Sequence, residues 1–373
     1  MFPIISTINL LKLASGDTLS LQVYQFIGKE PGKKVYIQSN LHGAEIVGNV
    51  VIHQLIEFLS TLNKEQIIGE ICLVPVCNPL GVNQRSHFFS TGRFNSYDGK
   101  NWNRIFWDYE QECTDLLEFA KSQLNKEPEI IKQNYRQKIQ TAWQQELSKI
   151  QQPKSVSFSK QYRDRLQSLC LDADYVIDIH SSSNQAIDYT FCFPERAENA
   201  QYLLLDYGVM MTEYDGDAFD EAFLKPWLAL ETQLNKLGKN IKFDIESWTL
   251  ELGGGMTINS DSVVKGFQGI KNYLNHKQIL QLSEPAIAHP ITLVKTDKIN
   301  SYYAPTGGMI QSRSPLGTKV NAGDKIYQLL SFNKQQEPPE IIDICAETDG
   351  LVFDISINQC VNQGEYVMDI LSF

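Results

Sequence analysis

The sequence predicts an α/β fold: a mixed, largely parallel sheet flanked by helices, followed by a small C-terminal β domain. Residues 34–39 (KVYIQS) and 70–77 (EICLVPVC) are short apolar runs that read as buried strands. Between them, residues 45–60 carry a helical period, with Ile46, Val50, Ile56 and Leu59 on one face. Strand, helix and strand at this spacing form a βαβ unit, which implies parallel pairing. DYVIDI (174–179) and FDIESWTLEL (243–252) add further strands. From residue 289 the helical period disappears and short strand-and-turn patterns take over. The expected division is therefore 1–288 and 289–373. Residues 111–170 are polar and read as surface helices, an insertion or a cap over the sheet.

With 373 residues the chain can bury a large core and a smaller second one. Its 42% hydrophobic and 21% charged content fits a soluble globular enzyme. A net charge of -11 without basic clusters argues against a nucleic-acid partner, because phosphate contacts need Lys and Arg. No apolar run approaches a membrane span, and the N-terminus lacks the basic start and cleavage site of a signal peptide. The seven cysteines are irregularly spaced and include no CxxC, so reduced thiols are expected rather than a disulfide framework. These features predict a cytoplasmic protein.

Four segments carry chemistry. His42-Gly43-Ala44-Glu45 follows the first of these strands and leads into the helix, so both side chains can turn toward one point. Asp178-Ile179-His180-Ser181 ends an apolar strand; residues two apart on a strand share a face, and sites in α/β sheets form beyond the carboxyl ends of strands. His180 can thus join His42 and Glu45 as a third N or O ligand, the donor set of catalytic zinc. Asp178 either orients a ligand or forms a buried pair with His180. Thr249-Leu250-Glu251-Leu252-Gly253-Gly254-Gly255 places a carboxylate before three glycines, where it can take a proton from an attacking water. Glu246 is a rival carboxylate. Finally, Asn78-Pro79, Arg93 and Asn103-Arg104 lie between the first two segments, and an Arg fork suits a carboxylate or a developing oxyanion.

In this order the segments resemble the succinylglutamate desuccinylase and aspartoacylase family, which shares the zinc carboxypeptidase fold. The resemblance covers roughly residues 34–270. It implies a zinc-dependent hydrolase that cleaves an amide bond in a small N-acylated, amino acid-like substrate. It makes His42, Glu45 and His180 ligands of one zinc ion, Glu251 the general base, and Asn103 with Arg104 the grip on a substrate carboxylate. Arg93 matches the Arg that polarises the scissile carbonyl, with Arg85 as a rival because the segment from Arg93 to Asn103 is long. Compact members read Asp-Leu where this chain has Asn101-Trp102. Aspartate-specific members also carry an Arg shortly before the base, whereas this chain has none between Arg196 and Arg313. It has instead the acidic run 213–221, which is either a solvated loop or a preference for a substrate bearing an amine.

The tail holds an internal repeat. Ala304-Pro-Thr-Gly-Gly-Met-Ile leads to Val320-Asn-Ala-Gly-Asp, and Ala346-Glu-Thr-Asp-Gly-Leu-Val leads to Val361-Asn-Gln-Gly-Glu. This resembles the half-motifs of biotinyl and lipoyl carrier sandwiches, but no Met-Lys-Met marks a modified lysine. A structural β module is therefore expected. Two alternative functions share the fold: a carboxypeptidase acting on peptides, and a catalytically silent binding protein. The expected partner is a small acylated molecule, with no nucleic acid and no membrane; a homo-oligomer is compatible with the reading.

Overall fold

A hairpin of β1 (Ile4–Lys12) and β2 (Thr18–Ile27) opens the chain, and β3 (Glu30–Ser39), α1 (Val47–Thr61) and β4 (Ile68–Val74) form the predicted βαβ unit. The computed structural model describes residues 1–214 and 216–372, apart from the side chains of Phe88 and Phe89. Next come α2 (Pro79–Asn83), the ribbon β5 (Arg85–Ser86) and β6 (Phe88–Phe89), and four helices. These are α3 (Tyr109–Glu112), α4 (Leu116–Ser122), α5 (Pro128–Ser148) and α6 (Phe158–Gln167). The catalytic half ends with β7 (Tyr175–Ser182), β8 (Gln185–Ala186), β9 (Tyr189–Cys192), β10 (Tyr207–Met210), α7 (Phe219–Lys236), β11 (Glu246–Gly254), α8 (Ser260–His276) and β12 (Thr292–Lys295).

Nine strands form one sheet in the order β1-β2-β4-β3-β7-β11-β9-β10-β12. Its centre is parallel: β3 pairs in parallel with β4 and β7, and β7 with β11. Alternation along these strands sorts side chains to two faces. Val35, Ile37, Ile177, Ile179, Trp248 and Leu250 pack with α1 and α8, while Tyr36 and Val176 join the core under α5, α6 and α7. That places Asp178, His180, Thr249 and Glu251 on the α7 side.

The segment 111–170 covers a face of the sheet and not the site. In α5, Ile131, Tyr135, Ile139 and Trp143 recur every four residues and are all buried. One stripe of a polar helix is enough to dock it.

The tail forms two four-strand ladders from β13 (Ile299–Tyr303), β14 (Gly308–Gln311), β15 (Lys319–Val320), β16 (Lys325–Ser331), β17 (Glu340–Cys345), β18 (Gly350–Ile355), β19 (Cys360–Val361) and β20 (Tyr366–Ser372). One ladder runs β13-β20-β18-β15 and the other β17-β16-β14-β19, so exchanging the two repeat copies maps one onto the other. The turn bonds match as well. Asn321 N–H donates to the Asp324 carboxylate at 2.8 Å and Asn362 N–H to Glu365 at 2.9 Å. The composition change predicts a boundary at 288/289, yet β12 lies beyond it and pairs with β10 as the edge of the large sheet. Four residues are too short to announce which sheet they will join.

Candidate active site

The β3–α1 loop carries His42 and Glu45, and it is held by asparagine side chains. Asn40, at φ 70°, donates its amide to the carbonyls of His42 and Gly43 at 3.2 and 3.0 Å. Asn78 donates to the Leu41 carbonyl at 2.8 Å and accepts from Gly81 N–H at 3.0 Å. The Asn-Pro pair after β4 is therefore a scaffold that ties the start of α2 to the His42 loop. Gly43 lies against α2, where a Cβ would stand 2.0 Å from the Gly81 carbonyl oxygen, so only glycine fits.

His180 stands on β7 directly across from Glu251 on β11, and Asp178 across from Thr249. Glu45 sits between the two imidazoles, with Oε1 2.9 Å from His42 Nδ1 and Oε2 2.7 Å from His180 Nδ1. One donor atom from each of His42, Glu45 and His180 lies within 4.8 Å of the others, and all three side chains are buried. Burial alone would raise Glu45, but the two imidazoles outweigh it and hold its carboxyl well below the ordinary range. The far nitrogens are also held: His180 Nε2 lies 2.9 Å from Asp178 Oδ2, and His42 Nε2 lies 2.9 Å from Asn101 Oδ1. Asp178 thus orients His180 through the very pair that the sequence left in two readings. Asn101 was a signal the sequence reading did not use: it fixes the second histidine.

A cavity of roughly 470 Å³ opens beside this cluster, and His42, Arg93, Asn103, Arg104, His180 and Glu251 all line it. A roomier groove of roughly 640 Å³ lies between the β1–β2 hairpin and α5, far from these donors. The long segment after Arg93 folds back on itself. Trp102 N–H donates to the Arg93 carbonyl at 3.1 Å, and Asn95 N–H to that of Lys100 at 2.8 Å. The extra residues form a side loop and leave Arg93 and Asn103 at the cavity. Arg93 Nη1 lies 3.2 Å from Ser183 Oγ and 3.5 Å from Glu45 Oε1. Arg85 instead donates to the carbonyls of Val82 and Gln84 and does not line the cavity. Asn103 Oδ1 accepts from Phe219 N–H at 2.9 Å, fastening the start of α7, while exposed Arg104 donates to the Asn103 carbonyl at 2.5 Å.

Among the described residues, Glu251 Oε2 has no hydrogen-bond partner. Burial pushes the Glu251 carboxyl up to about 8, with Glu45 adding to the rise and His180 and Arg93 opposing it. Glu246 lies at the other end of β11, bonded to Tyr273, Trp248 and Lys277, and has no place at the cavity. Gly254 lets the end of β11 close on the 182–184 segment, since a Cβ there would meet the Asn184 carbonyl oxygen at 2.8 Å. The glycine run therefore serves contact between backbones. Of the acidic run 213–221, Asp220 and Glu221 are buried in the cavity wall and are not solvated; Asp215 lies outside the described residues.

One α/β sheet thus brings two histidines and a carboxylate beside a buried glutamate, with a two-ladder β module behind them. The chain belongs to the succinylglutamate desuccinylase/aspartoacylase catalytic-domain family, whose model matches residues 31–277. That family is one of hydrolytic deacylases. Among solved structures, a succinylglutamate desuccinylase/aspartoacylase family protein from Shewanella amazonensis SB2B is 28% identical, with a TM-score of 0.88 over 99% of this chain and 98% of that one. A protein assigned to the same family from Shewanella frigidimarina NCIMB 400 is 25% identical, with a TM-score of 0.89 over 99% and 97%. The ectoine utilization protein EutE (DoeB) from Ruegeria pomeroyi shares the fold at 18% identity, with a TM-score of 0.67 over 100% and 95%. No functionally curated protein matches the sequence. Among the described residues, no helix is long and apolar enough to cross a membrane.

Proposed function

We propose that this chain is a zinc-dependent amidohydrolase that removes the acyl group from a small N-acylated amino acid. The observation that carries the proposal is the convergence of His42, Glu45 and His180 at one wall of a cavity that also holds the unpartnered carboxylate of Glu251. Two imidazole nitrogens and one carboxylate, all buried and each histidine oriented from behind, fit zinc. Zinc held there would polarise the scissile carbonyl and acidify the attacking water. Glu251 takes the proton from that water and delivers it to the leaving amine. Arg93 donates to the oxyanion as it develops. Arg104 at the mouth, with Asn103 beside it, grips the free carboxylate of the amino acid half. A cavity of this size suits a small acyl amino acid better than an extended peptide, which favours deacylation over carboxypeptidase activity. All four chemical groups are present, which disfavours a silent binding role.

The purified protein should hold about one zinc ion per chain, and His42→Ala or His180→Ala should lose most of it on dialysis, because two ligands hold zinc poorly. Metal analysis showing full occupancy in both variants overturns the ligand set. Glu251→Gln should keep fold and zinc yet lower kcat on N-acyl amino acids by about a hundredfold or more. Turnover equal to wild type would remove Glu251 from the reaction.

A further inference from the structure

Two opposite charges face the same cavity without pairing. Arg104 is exposed at the mouth, and among the described residues no carboxylate lies within ion-pair distance of its guanidinium. Asp220 is deeper, only 5% exposed, and among the described residues no cation pairs with it. Its side chain meets the Thr249 hydroxyl, two residues before Glu251 on the same strand face. A buried carboxyl without a cation either keeps its proton or is paired by a cation that a ligand brings. Burial, with Asp178 adding to it, holds the Asp220 carboxyl above its ordinary range, while the Thr249 hydroxyl and His180 oppose. Its place in the first turn of α7 favours the ionised form, since a helix N-terminus carries partial positive charge.

The two charges also belong to one wall. Asn103, next to Arg104 in the chain, holds the backbone N–H of Phe219, the neighbour of Asp220. Asn103, Arg104 and Asp220 therefore belong to one connected stretch of the cavity wall. Ser181 Oγ, buried and without a partner among the described residues, belongs to a residue that lines the same cavity.

We infer that Asp220 selects substrates whose amino acid half carries a side-chain ammonium, so that the enzyme acts on N-acylated diamino acids. The α-carboxylate lies toward Arg104 and the ammonium toward Asp220. The lack of an Arg between Arg196 and Arg313 agrees with this order of charges. The inference rests on the deacylase reading of this cavity, but it concerns recognition and can be read without turnover.

The test is calorimetric binding of three products of graded charge to the zinc-loaded protein: ornithine, norleucine and glutamate. Ornithine and norleucine differ in an ammonium against a methyl at the end of the chain. Wild type should bind ornithine at least about tenfold more tightly than norleucine, and glutamate most weakly of the three. Asp220→Asn should bring the first two within about twofold of each other, with little change for norleucine. A role confined to the start of α7 would weaken both together and leave the ratio intact, which overturns the inference. So does glutamate binding as tightly as ornithine in wild type, a result that needs no variant to fold. Hydrolysis of Nα-acetylornithine is measured separately. Its absence alongside an intact ornithine preference counts against the deacylase reading and not against Asp220.

Discussion

Glu251 is the residue whose environment says most about its chemistry. Its carboxyl lies at a strand end with one oxygen unpartnered, and burial raises it to about 8 in the metal-free protein. A carboxylate raised in the folded state holds its proton better there than in the unfolded chain. Its stabilising contribution is complete below the ordinary carboxylate range and is lost as pH rises through about 8. Metal-free Glu251→Gln should therefore melt above metal-free wild type at about pH 9, with the gap closing toward about pH 5. A gap that is constant with pH would show that Glu251 is not a strained acid in the fold. The sequence singled out this glutamate by its glycine neighbours, although those glycines turn out to serve contact with the 182–184 segment.

At the scale of elements, the site depends on how α2 supports the β3–α1 loop. Asn78 bridges Leu41 and Gly81, and Gly43 lies against the Gly81 carbonyl. Gly43→Ala forces a Cβ to within 2.0 Å of that oxygen, so the two segments must separate. The expected loss is about 1–3 kcal/mol in stability, the usual cost of overfilling a packed contact. Zinc affinity should fall with it, because His42 is the adjacent residue. Denaturant melts and zinc titration check this, and wild-type values for both would mean the loop yields freely. The Asn-Pro motif was legible in the sequence as a signal without a role. Its role is tertiary: a side chain 37 positions away in the chain closes the loop that presents a ligand.

Across the whole molecule, the repeat module reaches the site through the strand after His180. β18 pairs with β8, and Asp354 accepts from Ser182 Oγ, from Asn184 Nδ2 at 3.3 Å and from Tyr366 Oη at 2.6 Å. Ser182 and Asn184 line the cavity, and Ser183 between them touches Arg93. The module thus supports the cavity wall without lining it. Asp354→Ala should cost about 1–2 kcal/mol by leaving half-buried hydroxyls unpaired. It should raise KM severalfold at unchanged zinc content, because the 182–184 wall loosens while the ligands stay. An unchanged KM would confine the module to a structural role with no reach into the cavity.

Local pattern by itself determined four strands of the large sheet, the βαβ order, the repeat in the tail and the motifs that carry the candidate site, because period, turn chemistry and short motifs are properties of neighbouring residues. HxxE, DxH and TxExG each lie within a single turn or strand, so their members were readable before any packing was known. What only the tertiary structure decided is which distant groups complete them. Arg93 lines the cavity and Arg85 does not, with the residues after Arg93 folded back as a side loop. Asn101 reaches His42 because that same loop brings it there. Asp220 becomes part of the cavity wall because Asn103 fastens the start of α7. Each of these rests on contacts between segments far apart in the chain, and no periodicity records where such segments will meet.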